Sequence, residues 1–193
     1  MKTLLKTHDK DIRKALHKKR LSKLRADPNV IILDEFVAGT SRIDVAVLNG
    51  HFAGFEIKSA ADTLDRLPAQ IDSFCKVFDE LTLVVSHNHL ERASALLPSW
   101  WGLIVASMGP RRGLHFDIMW EPKQNPNRDK SEIARLLWRS EALELLVSQG
   151  KDRGVRSKPI STICNRIAEV MDLDDIRDAA LRIIKSRQDW RCS

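Results

Sequence analysis

The chain has 193 residues, of which 43% are hydrophobic and 30% charged, which is enough for a buried core in one domain with an appendage. No apolar run approaches the roughly 18 residues that a membrane span needs, so we expect neither a signal peptide nor a transmembrane helix. Three widely spaced cysteines lack the spacing of a zinc site and are typical of a reducing cytoplasm. A net charge of +6 favours a polyanionic partner.

The N-terminal part of the chain predicts a helix followed by strands. Residues from Asp9 to Arg25 form a basic amphipathic helix, whose cationic face is either a solvated surface or a phosphate-binding one. Val30 to Val37 is rich in strand-forming residues. Two short strands follow, Arg42 to Leu48 and Phe52 to Lys58, and the loop of residues 49–51 joins them as a hairpin.

The pattern after the hairpin predicts alternating helices and strands. Asp62 or Thr63 can cap a helix running to about Phe78, but Pro68 requires that this helix either starts late or is kinked. A strand over Leu81 to Val85, a short helix over His89 to Leu97 and strands over Gly102 to Ala106 and Leu114 to Trp120 come next. This order predicts an α/β core with a mixed sheet in residues 1–122.

A polar, proline-containing stretch over residues 121–129 separates this core from a predicted all-helical C-terminal region, residues 129–193. Apolar stripes at helical spacing occur in Ser131 to Val147, Ile160 to Met171 and Leu173 to Lys185. The basic loop before Ile160 leaves two interpretations open, a helix-turn-helix DNA reader and a plain packing appendage.

Two carboxylates interrupt the apolar pattern of the hairpin. Alternation places Ile43, Val45 and Val47 on one face of the second strand, and Arg42, Asp44 and Ala46 on the other. Asp44 therefore lies in a largely apolar strand, and Glu56 repeats this in the partner strand. Such carboxylates cost stability unless they are exposed or liganded.

The length of the hairpin loop decides whether the two acids meet. A two-residue turn puts Asp44 and Glu56 on opposite faces, whereas a three-residue loop that pairs Leu48 with Phe52 sets them directly opposite each other. Two carboxylates at that distance repel, and a divalent cation between them turns the repulsion into binding. We predict the three-residue loop and hence a metal site.

Two cations share this predicted face. Lys58, two residues beyond Glu56, can orient a nucleophilic water and offset charge that develops at phosphorus. Arg42 falls opposite Lys58 in the same register and offers a phosphate contact. The turn with Arg111 and Arg112 is a second candidate DNA contact.

The hairpin and the helix after it resemble the PD-(D/E)XK nuclease superfamily. Asp44 matches the motif aspartate, Glu56-Ile57-Lys58 matches E-x-K, and the glycine-led approach from Gly39 resembles RecB-like members. Gln70 to Phe74 is similar to the later Q-x-x-x-Y motif, with Phe in place of Tyr. A little-characterised bacterial branch with a helical tail is also similar.

The resemblance implies a restriction-endonuclease-like αβββαβ core and a site that holds Mg²⁺, with Mn²⁺ as a substitute. Asp44, Glu56 and the Ile57 carbonyl would bind the metal, and Glu35 would supply a further acid, with Asp11 as the next candidate. Gln70 and Arg66 would lie beside the substrate strand.

The expected function is therefore a divalent-metal-dependent nuclease that hydrolyses DNA phosphodiester bonds, cytoplasmic and of bacterial or phage type. We expect DNA as the partner, with no membrane and no small-molecule cofactor, and leave monomer and homodimer both open. The alternative is a catalytically inactive, nuclease-like DNA-binding or regulatory protein.

Overall fold

A six-stranded mixed sheet forms the centre of the computed structural model, which describes residues 7–109 and 113–187. Its strands lie in chain order, so every sequential neighbour is also a spatial neighbour. They are β1 (Ile31–Ala38), β2 (Ser41–Leu48), β3 (Phe52–Lys58), β4 (Glu80–Ser86), β5 (Gly102–Met108) and β6 (Leu114–Trp120). All the predicted strands are present.

Strand direction changes along the sheet. Strands β1, β2 and β3 are antiparallel, β3 to β5 run parallel, and β6 returns antiparallel to β5. Strand β4 is buried on both faces from Leu81 to Ser86, as its continuous apolar run predicts for a parallel strand covered on both sides. The expected α/β architecture with a mixed sheet is confirmed.

The N-terminal basic segment is one predicted helix that the structure divides into three parts. Helix α1 spans Asp9–Leu16, a π-helical turn follows at His17–Leu21, and a 3-10 turn covers Leu24–Ala26. Ile12 and Leu16 are fully buried against the sheet, which explains why the segment is amphipathic.

Helix α2 spans Leu67–Cys75, so the late start is correct and the predicted start at Asp62 or Thr63 is wrong. Pro68 lies in the first turn, where its missing N–H costs no helical hydrogen bond. The next helix is also shorter than predicted, a 3-10 turn at His87–His89 and then α3 at Leu90–Ser94.

Four further helices make up the C-terminal region, α4 (Lys130–Ala134), α5 (Arg139–Ser148), α6 (Ile160–Val170) and α7 (Leu173–Ser186). The single helix predicted over Ser131 to Val147 is wrong. The Trp138 backbone is extended there, and its N–H donates to Glu141 Oε2 at 2.7 Å, which starts a new helix.

Two apolar clusters cover the two faces of the sheet. Helix α1 and its π-helical turn close the smaller cluster, while helices α2 to α7 pack in one continuous cluster on the other face. Buried Asp79 accepts from the Phe52 backbone N–H and pairs with Arg128, tying the sheet to the C-terminal region. The division into residues 1–122 and 129–193 stays a prediction. None of the described helices is long and apolar enough to cross a membrane.

Candidate active site

The β2–β3 hairpin has the predicted register. Leu48 pairs with Phe52, and Gly50 takes a φ of 71° in the three-residue loop. The same register brings Asp44 opposite Glu56, one rung beyond the last backbone pair. The two acids line one pocket instead of lying on opposite faces.

Strand β2 is distorted at Asp44, and here strict alternation gives the wrong faces. Ile43 packs in the larger apolar cluster, whereas Val45 packs in the smaller one, so the prediction that they share a face is wrong. The cause lies across the ladder in β1, where Glu35 has a φ of 57° between the Asp34 and Phe36 pairs. This left-handed residue reverses the alternation of β1 and leaves Asp44 without a regular partner.

A hydrogen bond to the next strand holds the Asp44 side chain. The Ile57 backbone N–H donates to Asp44 Oδ2 at 2.6 Å, in place of a backbone ladder bond. The carboxylate of β2 is thereby fixed against the E-x-K segment of β3.

Glu56, Lys58 and Gln70 form a hydrogen-bonded triad in which the acid and the lysine are buried. Lys58 Nζ lies 2.6 Å from Glu56 Oε1 and 2.8 Å from Gln70 Oε1, and the Gln70 amide donates to the same Glu56 oxygen at 2.6 Å. Glu56 is 2% exposed and Lys58 5%. Glu56 Oε2 is buried with no hydrogen-bond partner among the described residues. A buried carboxylate oxygen without a donor is costly, and a bound cation would offset that cost.

Burial raises the pKa of Asp44 to about 7, and the neighbouring charge of Glu56 acts in the same direction. The Ile57 N–H and Arg13 oppose this rise. Burial also raises the pKa of Glu56, opposed mainly by Lys58. Two neighbouring acids that both resist ionisation are typical of a functional site, and a divalent cation would stabilise both in their charged form.

Most of the predicted residues meet in this pocket of about 490 Å³. They are Glu35, Arg42, Asp44, Glu56, Ile57, Lys58, Arg66 and Gln70. Arg111 and Arg112 lie outside the described residues. Asp11 is exposed on α1 and does not line the pocket, so it is wrong as the reserve acid.

Two pocket residues of α1 escaped the sequence analysis, Asp9 and Arg13. They are four residues apart and so share a helix face. The sequence signal for these two residues is an acid and an arginine at positions i and i+4, in a segment whose pattern was interpreted only as basic.

Few side chains in the pocket are arranged so that they can serve as metal ligands. Within residues 7–109 and 113–187, no group of three or more His, Cys, Asp or Glu side chains is arranged to hold a metal ion. Asp44 and Glu56 are therefore two acids that need a backbone oxygen or water to complete a shell. Their elevated pKa values and the unpartnered Glu56 oxygen fit a divalent cation.

A larger cleft of about 610 Å³ lies among the C-terminal helices. Asp172, Asp175, Asp178 and Glu169 line it beside two cations. Such a lining disfavours a polyanion. Its lining as described also lacks a buried lysine beside an acid, so the pocket at β2 and β3 is the candidate functional site.

Fold and site together define an α/β protein with a mixed sheet and a buried acid–lysine pocket at the end of its hairpin. The family model of bacteriophage P4 protein cII matches residues 5–191, so the chain belongs to this family.

Comparison with individual proteins adds one relative and one solved structure. Protein cII of Enterobacteria phage P4 is 28% identical over 159 residues, covering 81% of this chain and 59% of that protein, so the chain spans about three fifths of its relative. The SPO1766 protein of unknown function from Silicibacter pomeroyi is 22% identical, with a TM-score of 0.38 over 68% of this chain and 88% of that one.

Proposed function

We propose that this protein is a divalent-metal-dependent nuclease that hydrolyses DNA phosphodiester bonds, using a restriction-endonuclease-like core. The observation that carries the proposal is the Asp44, Glu56, Lys58 and Gln70 constellation, in which two repelling acids and one buried lysine line a single open pocket. The likeness of these residues to the PD-(D/E)XK motifs supports the same activity.

Asp44, Glu56 and the Ile57 carbonyl are the groups that would hold Mg²⁺. The bound cation would supply a Lewis acid for the phosphate and a water of lowered pKa. The Ile57 N–H keeps Asp44 in place, and Glu56 Oε2, which has no hydrogen-bond partner among the described residues, would be the second carboxylate ligand.

The role of Lys58 is to offset the negative charge that develops at the reacting phosphate. Its ammonium is held between Glu56 and Gln70, so its position is fixed before substrate arrives. Gln70 donates to Glu56 and accepts from Lys58, which makes it the residue that orients both. Arg42 and Arg66 line the pocket and can contact phosphates of the strand.

The basic N-terminal segment supports DNA as the substrate. No Asp or Glu occurs between Ile12 and Ala26, while seven Lys and Arg do. Lys10 and Lys14 of α1 and Lys18 of the π-helical turn are exposed at four-residue intervals on the segment that also brings Arg13 into the pocket. A row of cations leading to a phosphodiesterase site favours a nucleic-acid backbone. With DNA as substrate and Cys75 free, we place the activity in the cytoplasm.

The proposal is tested by incubating the full chain with single- and double-stranded DNA and Mg²⁺ or Mn²⁺. We expect metal-dependent cleavage that Lys58→Met lowers by about 100-fold or more, the usual loss when one transition-state contact is removed. Lys76→Met is the matched control, since Lys76 also pairs with a carboxylate, at 2.8 Å, but on the exposed side of α2. Circular dichroism would check folding, and equal cleavage by Lys58→Met and the unsubstituted protein would refute the assignment.

A second function, a nuclease-like DNA-binding protein without catalysis, is favoured by one observation. Both oxygens of Asp44 already accept from Arg13 and Ile57. Metal-independent DNA binding with no cleavage and no saturable Mn²⁺ binding would favour this function over the first.

A further inference from the structure

Arg13 draws three carboxylates together at the mouth of the pocket. Its Nη2 lies 2.9 Å from Asp9 Oδ2 and 2.9 Å from Asp44 Oδ1, and its Nη1 pairs with Glu35. The Arg13 and Asp44 side chains are each 17% exposed, so the pair between them is shielded from solvent. One guanidinium from α1 thus bridges acids from α1, β1 and β2.

The charges of the pocket explain why Arg13 is needed there. Lys58 contacts Glu56 and Gln70, so its charge pairs with Glu56 and not with Asp44. Arg42 pairs with Glu35 but is 64% exposed, and solvent weakens that pair. Arg13 is therefore the shielded cation that balances the acids around Asp44.

Arg13 is also incompletely satisfied in this position. Its Nε is buried and has no hydrogen-bond partner among the described residues. A buried donor without an acceptor costs free energy, so the arrangement holds the acids together without being an optimal arginine site. A second cation that binds Asp44 more strongly can therefore release it.

We propose that Arg13 is a resident cation that competes with the divalent metal for Asp44, so that metal binding requires Arg13 to give up this carboxylate. The inference rests on the metal site of the proposed function. Arg13 lies outside the acid–lysine motif and sets the affinity of the site for the metal. Because it acts on the metal only through Asp44, it is a positioning residue.

The test is a titration of the full chain with Mn²⁺, in which free ion is followed by electron paramagnetic resonance. Arg13→Gln removes the competing charge, and we expect Mn²⁺ to bind about tenfold more tightly, as the loss of one charge-assisted hydrogen bond implies. Arg13→Lys keeps a charge with fewer directed donors, so its gain should be smaller. Arg20→Gln is the matched control on the same N-terminal segment, where Arg20 pairs with Glu121 at 3.9 Å.

Thermal unfolding in EDTA gives a second readout that needs no cleavage. In EDTA, Arg13→Gln should unfold at a lower temperature than the unsubstituted protein, and Mn²⁺ in a buffer without EDTA should restore its unfolding temperature, because the metal replaces the lost cation. If Arg13→Gln does not fold in EDTA, the comparison of Arg13→Lys with the unsubstituted protein decides.

The outcomes separate this inference from the proposed function. Saturable Mn²⁺ binding by the unsubstituted protein, with equal or weaker binding by both Arg13 variants, overturns the competition and leaves the metal site standing. No saturable binding by the unsubstituted protein overturns the metal site, and the competition with it.

Discussion

Replacement of Asp44 by Asn should change how the stability of the metal-free protein depends on pH. Burial and the charge of Glu56 raise the pKa of Asp44 from 3.8 to about 7 in the folded state. A group whose pKa is raised by folding stabilises the protein fully below its unfolded pKa, and this stability is lost as the pH rises through the folded pKa. The amide of the Asp44→Asn variant does not titrate, so the variant lacks this loss.

The size of the effect follows from the two pKa values. The Asp44 side chain is 17% exposed, so the shift needs no large correction for solvent. At about 1.36 kcal/mol per pKa unit, the unsubstituted protein should lose roughly 2 to 3 kcal/mol between pH 5 and pH 8 through this group alone. The attraction of Arg13 for the ionised carboxylate already acts on this pKa, so its loss in the Asn variant is part of the same pH-dependent difference.

The assay is urea unfolding in EDTA at pH 5 and pH 8. The free energy of unfolding of Asp44→Asn should rise relative to that of the unsubstituted protein by roughly 2 to 3 kcal/mol on going from pH 5 to pH 8. Asp72→Asn is the control, because Asp72 is 72% exposed on α2, away from the pocket. Parallel pH profiles of the unsubstituted protein and Asp44→Asn would refute the raised pKa of Asp44.

Three further predictions concern packing, DNA binding and the triad. Gly54→Ala should lower the free energy of unfolding by about 1 to 3 kcal/mol in urea, since a Cβ there would lie 2.4 Å from Ile43 Cδ1. Changing Lys14 and Lys18 together to Gln should weaken DNA binding and reduce the slope of log affinity against log salt by about 2, as measured by fluorescence anisotropy. Gln70→Ala should lower the cleavage rate by about tenfold or more in single-turnover assays, because Lys58 and Glu56 lose their common partner.

Each of these has a contrary outcome. Unchanged stability of Gly54→Ala would contradict the close packing of Ile43, Phe78 and Leu81 around Gly54. An unchanged salt slope would show that Lys14 and Lys18 contact no DNA phosphate. Unreduced cleavage by Gln70→Ala would show that the Gln70 side chain has no role in the reaction.

The hairpin register could be predicted because its information is local. Gly50 supplies the positive φ that a three-residue loop needs, and the apolar residues on both sides fix which rungs pair. Asp44 and Glu56 then meet as a consequence of counting residues. The E-x-K spacing on a single strand likewise carries Lys58 to the same face as Glu56.

The distortion at Glu35 could not be predicted, because its cause is distant in sequence. A positive φ at a glutamate is uncommon, and here the side chain is paired with Arg13 of α1 and Arg42 of β2. The pair with Arg13 exists only after the helix has packed on the sheet. Strict alternation therefore gave the wrong face for Ile43.

Contacts between residues distant in sequence also explain why the sequence did not identify Asp9 and Arg13 as site residues, or the break between α4 and α5. Periodicity places Asp9 and Arg13 on one face of α1 but does not say which face meets the sheet. At Trp138 the chain is extended, and the Glu141 that receives its N–H is held by Arg187, 46 residues further along the chain. The helix propensity of Ser131 to Val147 therefore gives no information about that contact.

The central claim is that Asp44 and Glu56 share a divalent cation. A crystal structure of the full chain soaked in Mn²⁺, with anomalous diffraction data, tests it most directly. We predict one strong anomalous peak within about 2.0 to 2.4 Å of an oxygen of each carboxylate, with Arg13 moved away from Asp44. No peak in the pocket, or a peak that contacts neither acid, would contradict the metal site and the nuclease built on it.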